Sequence, residues 1–123
     1  MIHLQTILKI GDNTGIKKGQ CIKIFKQSKG TIGSIILISI KNLKLNTKKK
    51  TKFAKGDIVR ALIIRTKYAT KNTIGNYIKF DENSIIILNN QDKPLGTKIF
   101  GSITSEFRKR KNFKILSLAS NIL

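Results

Sequence analysis

The chain is poor in the residues from which most active sites and most extracellular scaffolds are built. Its 123 residues include one cysteine, one histidine, one proline and no tryptophan, and only six carboxylates face 25 lysines and arginines. A lone Cys21 forms no internal disulfide, which predicts a reducing compartment. Cys21 and His3 together fall two ligands short of a tetrahedral metal site. As a nucleophile and base they lack a third group to orient them, so Cys21 reads as a buried strand residue and His3 as a terminal surface residue. Asp12, Asp57, Asp81, Glu82, Asp92 and Glu106 lie in turn-forming stretches or at a helix start, where turn and cap duties account for them without acid/base chemistry. We therefore expect no enzyme, no metal and no cofactor. No apolar run approaches the roughly 20 residues that span a bilayer, and Met1 to Thr6 has the character of neither a secretory leader nor a transit segment. No membrane partner is expected, and the protein is expected either to be made where it acts or to be in its mature form.

What is abundant is positive charge. The formal net charge is +19 and the isoelectric point about 10.4, a self-repulsion that destabilises a compact domain unless counter-charge is close by. A structured polyanion is the natural partner. Residues 1–40 carry a net +5, residues 41–80 +11 and residues 81–123 +3; the centre of the chain, twelve cations against one carboxylate, has almost no capacity for internal pairing. A charge run is ordinarily a solvated face, and this imbalance argues for nucleic acid beyond that. Lysines outnumber arginines 21 to 4, so point-charge contacts to phosphate are expected over bidentate base reading. The 23 isoleucines and 10 asparagines carry the mark of an AT-rich genome.

The organising stretch is 56–90. It reads as an apolar strand over Ile58 to Ile64, a basic loop from Arg65 to Asn76, and two further strands, Tyr77 to Phe80 and Ser84 to Leu88. Upstream, Thr6 to Ile10 is a short strand ended by the turn cluster Gly11-Asp12-Asn13-Thr14-Gly15. Cys21 to Lys26 alternates as a strand with Ile22 and Ile24 inward. Ser34 to Lys41 is Ile-rich enough for a sheet covered on both faces. Residues 42–55 hold too many lysines for a core and read as a protruding or RNA-ordered loop. Downstream, Thr104 makes an N-cap for a short helix with Ile103 and Phe107 on one side, and Asn112 to Leu118 a second helical piece with Phe113 and Leu116 against the barrel. Gly11, Gly15 and Gly19 lack the Gly-Lys-Ser/Thr ending of a phosphate-binding loop and serve turns. Tyr68 and Tyr77 flank the basic loop, where either base stacking or, for Tyr77, packing on the barrel wall is open. Five or six short strands closing with small helices predict a mainly β protein: one domain over 1–123, a small five-stranded barrel to about residue 100 and a short C-terminal helical extension over about 101–123.

Ile2, Gln5 and Thr6, Asp12-Asn13-Thr14-Gly15, Cys21-Ile22-Lys23, Lys55-Gly56-Asp57, Arg65-Thr66-Lys67, Ile78-Lys79-Phe80-Asp81, Asn83, Leu88-Asn89-Asn90, Pro94 through Gly101 and Lys114 through Ala119 carry a further signal. With these residues the chain resembles, over essentially its full length, the universal large-subunit ribosomal protein number fourteen family. Ile74 before Gly75 departs from the Asp, Asn or Ser of the family pattern, and the lysine run 48–50 is denser than that pattern. The resemblance implies a five-stranded barrel with a helical extension, bound to large-subunit ribosomal RNA on the face toward the small subunit. It also implies a bridge to small-subunit ribosomal RNA, a neighbouring ribosomal protein (number nineteen in bacterial-type particles), and a docking surface for a ribosome-silencing factor at Thr97, Lys98, Arg108 and Lys111.

Under this reading Lys17, Lys18, Lys44, Lys48, Lys49, Lys50, Lys52, Arg65, Lys67, Lys71, Lys79, Arg108, Lys109 and Arg110 replace counterions on folded RNA. A family-like start at Met1 and the coding bias point to an organelle-encoded protein of the mitochondrial ribosome, ahead of a plastid or a bacterial cytoplasm. The competing expectation is a free-standing single-stranded RNA-binding barrel of the OB or cold-shock type, which would present an aromatic platform that eight scattered aromatics do not suggest.

Overall fold

The structure, a computed structural model, describes all residues except 1, 27, 44–52, 72–74, 106 and 108–112. Its elements are β1 (Ile7–Ile10), β2 (Ile16–Ile24), β3 (Ile35–Leu43), β4 (Ile58–Arg65), β5 (Thr70–Lys71), β6 (Tyr77–Ile78), β7 (Ser84–Leu88), β8 (Ile99–Ile103), α1 (Phe113–Leu118) and β9 (Ala119–Ile122). Strands β1-β2-β3-β4-β7 form a closed barrel, the expected five-stranded architecture. All its pairs are antiparallel except the closing one, where β1 runs parallel to β7 with Lys9 opposite Ser84 and Ile10 opposite Ile85.

Side-chain alternation explains the interior. Along β3, Ile36, Ile38 and Ile40 are fully buried while Ile35, Leu37 and Ser39 are half-buried, as the two-residue period of a strand requires. They meet Leu8, Ile16, Cys21, Ala61, Ile63, Ile85 and Ile87 in one cluster inside the barrel. Branched side chains suit this pleated, crowded space. Gly19 lets β2 pack closely over Ile38, since a Cβ there would stand 2.6 Å from Ile38 Cδ1 and force that side chain to shift.

A second apolar cluster lies on the outside of the same wall. Leu62, Ile64, Ile86 and Leu88, which point away from the barrel axis, are covered by Ile99, Ile103, Phe107 and Ile115 from the C-terminal part of the chain. That cover explains why all five residues of β7 are buried. β8 and β9 hold it in place as a parallel pair, Ile99 opposite Ala119 and Ile103 opposite Ile122.

Several expectations are corrected. β2 begins at Ile16 rather than Cys21, and Gly19 and Cys21 take the inward phase, which leaves Ile22 41% exposed, while a register shift between Cys21 and Lys23 brings Ile24 back against the core as expected. The second strand expected in the 56–90 stretch is shorter than 77–80: only Tyr77 and Ile78 pair, with Thr70 and Lys71, so the basic loop folds back as a two-stranded ribbon. The C-terminal segment is not only helical, since it contains β8 and β9. In α1, Ile115 joins the outer cluster and Leu116 packs against it as expected, while the side chain of Phe113 lies outside the described residues. The expected helix after Thr104 falls largely on 106 and 108–112, outside the described residues.

Candidate nucleic-acid interface

Among the described residues, Lys9, Lys18 and Lys67 come together near the seam where β1 meets β7. Lys9 projects outward from β1, opposite Lys18 on β2. Lys67 follows the end of β4, and its backbone N–H donates to Asn83 Oδ1 at 2.8 Å, fixing the start of the basic loop against the turn before β7. Ile7, Leu8, Lys9, Lys18, Lys67, Glu82 and Asn83 line a concavity of about 230 Å³. Lys17 and Lys79 are exposed, and Lys18 is half-buried. Lys71 lies on the ribbon strand β5, and both flanking tyrosines are largely exposed, so Tyr77 does not pack on the barrel wall.

Arg65 departs from its expected role. Instead of presenting its guanidinium to phosphate it is buried, donating from Nη1 to the carbonyls of Phe100 (2.7 Å) and Ser102 (3.2 Å) and from Nη2 to Glu82 Oε1 (3.2 Å). It therefore clamps β8 to the barrel seam. Gly101, at φ +82°, is the glycine this clamp requires, because a Cβ would overlap the guanidinium. Burial lowers the Arg65 pKa and the Glu82 charge opposes that shift. Burial pushes the Glu82 carboxyl up, but hydrogen bonds from Lys9 and Ser84 and the charges of Arg65 and Lys9 outweigh it and hold the pKa below the ordinary value.

The second expected surface is held from the far end of the sequence. Asn13 Oδ1 accepts the backbone N–H of Thr97 (2.8 Å) and Lys98 (3.3 Å), and its Nδ2 donates to Thr97 Oγ1 at 2.6 Å. Asp12, buried beside it, accepts the N–H of Thr14 and of Ile87. One turn, 12–14, thus positions the exposed Thr97-Lys98 loop relative to β7. Lys44, Lys48, Lys49, Lys50, Lys52, Arg108, Lys109, Arg110 and Lys111 lie outside the described residues.

Matched against family models, the chain fits the one described as Ribosomal protein L14p/L23e over residues 1–123. The chain belongs to that family. Membership makes it a structural protein of the large ribosomal subunit, and the closed barrel agrees with the fold the resemblance implied. In this ribosomal protein the carboxylates carry structural duties: Asp57 accepts the Ala54 N–H, Asp92 pairs with Arg60, and Glu82 serves Arg65 and Lys9.

Sequence reading missed Lys9, Asn83 and Asn13 as interface-shaping residues. Lys9 carried a legible signal, the polar phase of an Ile-Leu-Lys-Ile alternation. Asn13 and Asn83 carried none beyond their place in the family pattern, because their partners lie 84 and 16 residues away.

Proposed function

We propose that this protein binds large-subunit ribosomal RNA through lysine–phosphate contacts, contributes to a bridge with small-subunit ribosomal RNA, and performs no catalysis. The observation that carries this reading is the mismatch of charge. Against a net +19, the described residues contain three ion-paired contacts, and these engage only Lys9, Arg60 and Arg65 among the cations. Lys17, Lys18, Lys67 and Lys79 stand without a carboxylate partner among the described residues, a surface suited to replacing the counterions of RNA. The Thr97-Lys98 loop, stapled by Asn13, supports a second, protein-facing or bridge-facing surface, where the neighbouring ribosomal protein or a silencing factor would dock. The coding bias of the chain supports a mitochondrial ribosome.

The test is the salt dependence of binding to large-subunit ribosomal RNA. Affinity is expected to fall log-linearly with salt, by about 0.7 to 0.9 of a log unit per decade for each phosphate neutralised. A slope near zero would sink the proposal. The exposed tyrosines of the ribbon favour one rival, a free single-stranded RNA module, and a sucrose gradient separates the two, since a free module stays off the large subunit.

A further inference from the structure

We propose that the notch over the β1/β7 seam is a backbone-reading subsite that seats one phosphate and its ribose from an RNA strand. The inference rests on the RNA-binding reading above and adds to it a definite place. Four observations converge there. First, Lys9 and Lys18 sit directly opposite one another across β1 and β2, and of this like-charge pair only Lys9 has a carboxylate partner among the described residues, so Lys18 is the cation an anion would relieve. Second, the β2–β3 register shifts on both sides of Lys18, between Ile16 and Lys18 and again between Lys18 and Gly19. Such irregularities bend a strand and re-aim its side chains, and they collect at functional surfaces.

Third, the only carboxylate lining the notch is already compensated. Glu82 Oε1 is held by Arg65 and Ser84, and its Oε2 by Lys9 at 3.2 Å, so Lys18 and Lys67 set the potential an incoming anion meets. Fourth, the cavity of about 230 Å³ falls below the roughly 300 Å³ at which small-molecule pockets begin. It is too small to bury a drug-sized ligand, and a phosphate with its ribose is within its volume. Ile7, 60% exposed at its edge, offers an apolar surface to the sugar.

The experiment follows backbone amide shifts of the full chain titrated at low salt with hexauridylate, with uridine 5′-monophosphate and with inorganic phosphate. With hexauridylate the amides of Lys9, Lys18, Lys67 and Asn83 are expected to move together and saturate. The double variant Lys18→Ala/Lys67→Ala is expected to weaken that binding about tenfold, in line with the loss of two exposed charge contacts. Lys29→Ala/Lys93→Ala, which removes the same charge from other exposed lysines, is expected to leave the Kd within about threefold. Uridine monophosphate is expected to move the same amides more weakly. Equal weakening by the two double variants overturns the notch while leaving general RNA binding in place. Inorganic phosphate saturating as tightly as hexauridylate overturns it in favour of a plain anion site. Absence of salt-sensitive hexauridylate and ribosomal RNA binding by the wild type overturns both readings. Lys67, Lys29 and Lys93 are exposed and Lys18 is half-buried, and unchanged amide dispersion elsewhere verifies the fold.

Discussion

Among the described residues, β7 and the C-terminal half of β4 are covered on both faces, whereas β1 and β2 are covered on one. On β7, Ile85 and Ile87 face the barrel interior while Ile86 and Leu88 face the C-terminal segment. On β1 the inward Leu8 and Ile10 alternate with outward Ile7 and Lys9, which no described apolar side chain covers. The difference divides the barrel into a wall that builds the protein and a wall left open to a partner. It also explains the uneven ion pairing, since Arg65 is consumed at the covered wall while Lys18 and Lys67 remain available at the open one.

The largest expected effect tests the covered wall. Phe107 is 1% exposed within the outer cluster, and Phe107→Ala should cost about 3 to 5 kcal/mol, the range for truncating a buried aromatic. Urea unfolding of the variant reads this directly. A loss under about 1 kcal/mol would show that the C-terminal segment merely rests on the barrel, and the contrast between the walls would collapse.

A smaller effect is expected at the joint between the walls, where Glu82 links Lys9 on the open side to the Arg65 clamp on the other. Its folded pKa is depressed, so its contribution to stability is present above the unfolded-state pKa of about 4.3 and is lost as pH falls through the lower folded value. Because its side chain is 38% exposed, that contribution is screened. Glu82→Gln should cost about 1 kcal/mol near neutral pH, a charge-assisted hydrogen bond discounted for exposure. Its melting temperature should fall less steeply than that of the wild type between about pH 5 and pH 3. Superimposable acid limbs would remove Glu82 from the joint.

Part of this division was legible in the sequence. The apolar runs Ile58 to Ile64 and Ser84 to Leu88 read as barrel strands, and the five-strand barrel followed from strand count and turns. Cover on both faces was expected instead for Ser34 to Lys41, where alternate side chains are only half-buried, while the strand fully buried along its length is β7. What covers the second side was not legible. Ile99 to Ile103 contains Phe100, Gly101 and Ser102 without clean alternation, and its partner β9 lies at the C-terminal end in a run that reads as helix. Arg65 was misassigned because a cation opening a basic loop reads as exposed, and only the carbonyls of Phe100 and Ser102, 35 and 37 residues on, draw it in. The seam concavity was equally hidden, since its lining comes from four separate stretches of chain.

The smallest expected effect sharpens the open wall. Alternation read from Cys21 to Lys26 places Ile22 inside the barrel, but Cys21 takes the inward phase and leaves Ile22 outside and 41% exposed. If the open wall has no cover, Ile22→Thr should change stability by less than about 0.5 kcal/mol, as for an ordinary surface site. Threonine keeps the β-branched shape that suits a strand, so the substitution probes burial alone. Were Ile22 inside, or sealed by a segment of the chain as Ile86 is, a hydroxyl there would be buried without an assured partner and would cost about 1 to 3 kcal/mol. Denaturant midpoints at unchanged m-value distinguish the two outcomes, and the larger loss would give the open wall a cover of its own and erase its difference from the wall of β4 and β7.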